Sequence, residues 1–161
     1  MPPVKTGSLE ICPCQSGKAY RFCCNVIHLD LHEAELPEQL MKARYSAFVL
    51  CKAAFILNSW AYETRPEQLL LNDRIRWISL EITDSDPVST GTRSASVSFI
   101  VKYLEENKVY TLQERSTFIK RSNCWYYLDG DSENSFQVLG GNTACPCGSG
   151  KKFKRCCRQN S

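Results

Sequence analysis

Residues 12–24 and 145–157 of this chain write one pattern twice, and that repeat limits the fold more than anything else in the sequence. The first copy reads Cys12-Pro13-Cys14-Gln15-Ser16-Gly17-Lys18-Ala19-Tyr20-Arg21-Phe22-Cys23-Cys24. The second reads Cys145-Pro146-Cys147-Gly148-Ser149-Gly150-Lys151-Lys152-Phe153-Lys154-Arg155-Cys156-Cys157. The cysteines, the proline, the Ser-Gly-Lys run and one aromatic recur in register. Of the ten cysteines in the chain, only Cys51 and Cys124 fall outside the pattern. Two unrelated loops do not converge on such a repeat by chance.

The spacing suits a tetrahedral ion. A proline of fixed φ between Cys12 and Cys14 holds both thiolates on one side of a tight turn. Gln15-Ser16-Gly17, or Gly148-Ser149-Gly150, then reverses the chain. The lysine and aromatic that follow open a short helical turn ending in the paired cysteines. Tyr20 lies four residues before Cys24, as Phe153 does before Cys157, so each ring can pack beside a ligand. The expected ligands are therefore Cys12, Cys14, Cys23 and Cys24 in one site and Cys145, Cys147, Cys156 and Cys157 in the other. Four thiolates at ~2.3 Å close a structural zinc site and leave no position for water. They also leave a formal charge of about −2 around a divalent ion. Lys18 and Arg21 flank the first site to offset it, and Lys151, Lys152, Lys154, Arg155 and Arg158 the second. The expected cofactor is two zinc ions per chain, with iron the lesser alternative.

Disulfides are the competing reading. Adjacent cysteines such as Cys23-Cys24 bond to each other only with strain. The compartment argues the same way: residues 1–8 contain no apolar h-region, and no apolar run nears the roughly 20 residues that span a bilayer. A cytoplasmic protein with no membrane partner is expected, and the cytosol keeps thiols reduced. The net charge of +3 is too mild to name a partner.

The second copy resembles the SEC-C motif, the zinc finger at the C-terminal tip of the bacterial translocation ATPase SecA. The last ligand there is often histidine; here both copies end in cysteine. With such a finger at each end, the chain resembles the YchJ family of uncharacterised bacterial proteins. Leu40-Met41-Lys42-Ala43-Arg44-Tyr45-Ser46-Ala47-Phe48 and Glu114-Arg115-Ser116-Thr117-Phe118 look like that family's central signatures. The resemblance implies a middle domain like nuclear transport factor 2, a curved sheet wrapped as a cone around helices and often holding a pocket. It also implies a protein partner, since the SecA finger engages the export chaperone SecB and has been linked to the ribosome.

Between the fingers, residues 37–63 carry a helical pattern. Pro37 fits a first-turn position, Glu38 follows near the positive end of the dipole, and Leu40, Ala43 or Arg44, Ala47 or Phe48, Cys51 and Phe55 form an apolar stripe. A break near Cys51-Lys52 would divide this into two helices, and Cys51 on the stripe reads as a buried, inert thiol. His28 and His32 lie four apart, and a solvated helix face explains them better than a metal site. Residues 74–83, 94–105, 109–121 and 124–129 read as strands, with connections at Glu106-Asn107-Lys108 and Ser122-Asn123. In the second of these strands Val97, Phe99, Val101 and Tyr103 alternate with Ser96, Ser98, Ile100 and Lys102, so one face is buried. The expected class is α+β: a cone-like antiparallel sheet wrapped on N-terminal helices and flanked by two small zinc-knuckle motifs. The expected units are 1–36, 37–140 and 141–161.

Glu114 shares a face with Tyr110, Leu112, Ser116 and Phe118, and a carboxylate there needs a partner. An internal ion pair with Arg44 or Arg115 is the favoured explanation. The functional alternative makes Glu114 an acid, base or ligand contact in a cone pocket, a candidate cofactor or ligand site lined by Arg44, Tyr45, Trp60 and Trp77. No catalytic residue is identified, and the Gly-Ser-Gly-Lys run inside the second finger lacks the length of a phosphate loop. The leading expectation is a non-enzymatic zinc-binding adaptor whose partner is a SecB-like chaperone or a ribosome-associated factor. The basic run Lys151 to Arg155, with Phe153 interleaved, also admits ribosome or RNA contact. The alternatives are an enzyme or small-ligand binder using the cone, and metal or redox handling by the cysteines.

Overall fold

The computed structural model describes residues 10–160; the reading of residues 1–8 lies outside them. Three α-helices come first: α1 (Cys24–Leu29), α2 (Pro37–Val49) and α3 (Ala53–Asn58). Four strands follow: β1 (Arg76–Ser85), β2 (Ser94–Glu105), β3 (Lys108–Arg121) and β4 (Cys124–Val138). They form one antiparallel sheet in the order β1-β2-β3-β4. This is the expected α+β class. Among the described residues no helix is long and apolar enough to cross a membrane.

Helix α2 starts where the sequence says it should. Pro37 takes the first turn, and the Gln39 side-chain oxygen accepts the Leu36 N–H at 2.9 Å. It stops because Cys51 adopts φ 55° and the Lys52 N–H turns back to the Ala47 carbonyl at 2.8 Å. That left-handed residue carries Cys51 off the apolar stripe, so the thiol is exposed, not buried as periodicity alone suggested. The histidines need a correction too. His32 is exposed beside Asp30, whereas His28 is half-buried. Its Nε2 lies 2.8 Å from the Ala43 carbonyl and its Nδ1 2.7 Å from the Tyr20 hydroxyl, with Phe55 against the ring. A carbonyl can only accept, so Nε2 carries the proton and the Tyr20 hydroxyl donates to Nδ1. The ring ties the first finger to α2.

The strands pair through two tight turns. Glu106 (φ 54°) and the Ser122-Asn123 pair (φ 48° and 63°) take left-handed conformations that suit the twist of a hairpin. Lys108 joins β3 instead of the turn. β1 starts two residues later than expected, and β4 runs nine residues beyond Asp129, to Val138. The inner face, built on Ala95, Val97, Phe99, Val101, Phe118 and Trp125, is packed with Leu40, Met41, Ala43 and Tyr45 of α2. Trp125 is wholly buried and donates its indole N–H to the Glu35 carbonyl at 3.0 Å; truncating such a ring to alanine costs about 3–5 kcal/mol. Further along that face one aromatic from each strand stands in a single row: Trp77, Tyr103, Tyr110 and Phe136 pair in register across all four strands. Tyr103 and Tyr110 stack at 4.9 Å, and the row ends at the sheet edge on Phe136, 58% exposed.

Candidate metal centres

Each repeat folds by the same local bonds. The Cys12 N–H meets the Lys18 carbonyl at 2.8 Å and the Tyr20 N–H meets the Glu10 carbonyl at 2.9 Å, making a miniature hairpin. Cys145 with Lys151 and Phe153 with Thr143 repeat it, both at 2.8 Å. The turn passes through a left-handed residue, Gln15 at φ 63° in one copy and Gly148 at φ 79° in the other. A 3-10 turn, Tyr20–Phe22 or Phe153–Arg155, then returns the paired cysteines. The recurrent serine does more than turn the chain. Ser16 Oγ lies 3.2 Å from Cys23 Sγ, and Ser149 Oγ 3.2 Å from Cys156 Sγ. Each hydroxyl can therefore support a thiolate, a role its turn propensity had hidden.

The sulfurs of the eight repeat cysteines gather into two groups of four, and within each group they lie within 4.8 Å of one another. Cys14 and Cys23 are 3.6 Å apart, and Cys147 and Cys156 3.5 Å. Four sulfurs set ~2.3 Å from a tetrahedral ion are roughly 3.8 Å apart, so both groups fit a metal ion. None of the ten cysteines is in a disulfide. Protonation points the same way. Hydrogen bonds from Cys14 and Cys24 hold the Cys12 thiol far below its usual range, and the same contacts, together with burial, push Cys14 and Cys24 up. In the second group the Ser149 hydroxyl lowers Cys147 to about 6, while burial raises Cys157 to about 12. Thiols this close share protons, and a divalent cation is what lets all four ionise together.

The surroundings differ. The first cluster belongs to the main core, with Cys12, Cys14 and Cys24 buried and Ser46 of α2 3.7 Å from Cys12. Burial, then the charges of Cys24 and Cys12, push the Tyr20 hydroxyl up to about 12; burial and Cys14 do the same to Tyr45. The second cluster packs on the other face of the sheet, where Cys145, Phe153 and Cys157 cover Leu104, Ile78 and Val109. Cys147 is exposed there, as are Lys151, Lys152, Lys154, Arg155 and Arg158. Both fingers rest on the same short piece of β1. The Gln15 side chain donates to the Ile78 carbonyl at 2.7 Å, and Arg76 Nη1 donates to Cys157 Sγ at 2.6 Å.

The five candidate cone residues fall into two groupings. Tyr45 and Trp77 meet edge to face at 5.9 Å, with Phe48 and Tyr103 also against the indole. Arg44, 4% exposed, lies between the rings of Trp60 (5.0 Å) and Tyr127 (4.5 Å). Its Nη1 donates to the Ile56 carbonyl at 2.9 Å and to Ser59 Oγ at 2.7 Å, and burial lowers it to about 10. Glu114 does not pair with it directly. Glu114 Oε1 accepts from Ser116 Oγ at 2.7 Å and from the Tyr127 hydroxyl at 3.2 Å. The expected ion pair is thus replaced by two hydroxyls, because Tyr127 stands between the guanidinium and the carboxylate. Tyr127 was missed by sequence reasoning, and only its cross-strand pairing with Phe118 reveals it.

Comparison with known proteins agrees with this architecture. Residues 36–130 match the family described as YchJ, middle NTF2-like domain, and residues 142–159 match the SEC-C motif. UPF0225 proteins from two Vibrio cholerae strains are 37% identical over 150 residues, 91% of this chain and 98% of their own length. A crystal structure of a SEC-C motif containing protein from Psychrobacter arcticus superposes with a TM-score of 0.64 at 29% identity, covering 96% of this chain and 98% of that one. The solution structure of a SEC-C motif containing protein from Rhodopseudomonas palustris gives 0.65 at 26% identity, over 76% of this chain and 98% of that one. With the middle-domain match spanning more than half its length between two four-cysteine clusters, this chain belongs to the YchJ family.

Proposed function

We propose that the protein is a non-enzymatic, cytoplasmic zinc-binding adaptor that holds two zinc ions, through Cys12, Cys14, Cys23 and Cys24 and through Cys145, Cys147, Cys156 and Cys157. In this reading it meets a protein partner through its C-terminal finger. The observation that carries it is the contrast between the two clusters: the first is part of the core, whereas the second stands on the sheet's far face with its lysines and arginines exposed. Lys151, Lys152 and Arg155 line a shallow concavity of about 430 Å³ there. Charge balance around four thiolates needs cations nearby, but it does not need five of them exposed to solvent. An acidic chaperone surface of the SecB kind, or a ribosome-associated factor, has the complementary charge. Reduced thiols require a reducing compartment, which favours the cytoplasm.

The test is cosedimentation of the zinc-loaded chain with purified SecB and with ribosomes, repeated after chelation and with Lys151, Lys152 and Arg155 changed to Glu. Binding that is lost in both controls supports the adaptor. Failure to bind either target, or binding indifferent to both controls, sinks it. A small ligand in the cone is the second reading, favoured by the buried Arg44 and by a Glu114 carboxylate whose partners in the fold are hydroxyls. A non-protein mass retained on the native chain and lost in Glu114→Gln would support that reading instead.

A further inference from the structure

We infer that the outer edge of β4 from Gly130 to Val138 is an interface through which two copies of this chain join, strand to strand, into one continuous sheet. β4 is the last strand of the sheet, and the start of its outer edge is already used. The Tyr127 N–H donates to Ser59 at 2.9 Å, the Ala61 N–H donates to Tyr127 at 2.7 Å, and the Thr64 hydroxyl donates to the Leu128 carbonyl. Beyond Leu128 no described residue bonds to that edge through its backbone. Residues 130–138 are exposed throughout, including Phe136 at 58% and Val138 at 56%. An edge strand turns every second N–H and C=O outward, and proteins usually blunt such edges with Lys, Pro, a bulge or a covering loop. From Gly130 to Val138 there is no Lys, Pro or bulge, and the charges that can also blunt such an edge are limited to Asp131 and Glu133; the irregularity between β3 and β4 falls earlier, opposite Thr117 and Phe118.

The residues select the occupant. Two copies related by a two-fold axis through the sheet must place inner-face residues opposite inner-face residues. Centred on Asn134, antiparallel pairing sets Gly130 against Val138, Asp131 against Gln137, Ser132 against Phe136, and Glu133 against Ser135. Every bulky apolar side chain meets a small residue, and each carboxylate meets an uncharged one. Sliding the pairing two residues toward the strand's start sets Glu133 against itself, and sliding it the other way leaves Gly130 and Asp131 unpaired. The inner face agrees. The Glu114 carboxylate lies over Gly130 and Lys108 Nζ lies 4.9 Å from the Phe136 ring centroid, so the two-fold brings the anion of one copy toward the cation of the other. The aromatic row that now ends at the sheet edge on an exposed Phe136 gains a neighbouring strand. A joint of this length buries on the order of ~1,000 Å² in total, which suits a dimer of modest affinity.

The experiment is sedimentation of the full, zinc-loaded chain over a dilution series, with hydrogen exchange of residues 130–138 read at each end of the series. The expected result is a concentration-dependent dimer whose formation protects those amides. Ser135→Glu with Gln137→Glu places like charges opposite each other on an exposed face away from the core, and should weaken dimerisation about tenfold or more. Adding Asp131→Lys and Glu133→Lys to the same chain should restore it, which separates a lost contact from a lost fold. A chain that stays monomeric with these amides unprotected overturns the proposal. So does a dimer indifferent to the charge variant, or a monomer whose edge is protected by a bound foreign peptide.

Discussion

Gly130 sits in β4 without a left-handed φ, so its lack of a side chain serves space. A Cβ there would come 2.3 Å from Glu114 Oε1. Gly130→Ala must therefore push the carboxylate away from Ser116 and Tyr127, at a cost of about 1–2 kcal/mol in urea unfolding. In a Glu114→Ala background the same change should cost little, and the difference is the coupling between the two positions. His28 gives a pH signature. Burial first, with a smaller contribution from Lys52, lowers its pKa from 6.5, so below that value the unfolded chain binds more protons than the folded one. The stability that depends on neutral His28 is complete above 6.5 and is lost as the pH falls toward the lower folded value. Accordingly, the stability gap between the native chain and His28→Gln should narrow on acidification below 6.5. Neither environment was legible in the sequence. Glu114 announced that it needed a partner, but the partners came from Ser116 on its own strand and from Tyr127 across a bulge. His28 was hidden because a short polar stretch does not reveal which side faces a helix.

The fingers were the most legible elements, because their cysteine clusters are set by spacing along the chain and not by tertiary packing. What the spacing could not tell was which finger would be buried. That follows from α1, which continues from Cys24 and carries Ile27 into the core, whereas Cys157 opens a 3-10 turn whose next residues, Arg158 and Gln159, are exposed. With zinc at both centres, a chelator should therefore empty the second site first. Timed chelation followed by exchange mass spectrometry should show residues 145–157 opening while α2 and β2 stay protected, and residues 12–24 opening only with the whole fold. Simultaneous release would contradict that order. The strands show the same division. β2 was plain from its alternation, but the last nine residues of β4 hold only two large apolar side chains, both exposed, and their pairing with β3 is set by register and not by burial. Cys51 belongs here as well, since helical period carried it inward until a single left-handed residue turned it out.

Across the whole molecule, the two clusters are farthest apart in sequence and closest in purpose. One covers the inner face of β1 and the other its outer face, and both hold the three residues from Arg76 to Ile78. Ile78 and Leu104 look like surplus hydrophobics on a solvent face until the second finger is set over them. A ribosome releases the chain from one end only, so the first finger, the helices and all four strands emerge before Cys156 and Cys157 do. Through that interval the outer face of β1 is bare and Arg76 lacks its sulfur. The cysteine pair of the second finger is thus the latch that seals the earliest strand, and a nascent chain halted before Cys145 presents Ile78, Leu104 and Val109 to whatever inspects unfinished proteins.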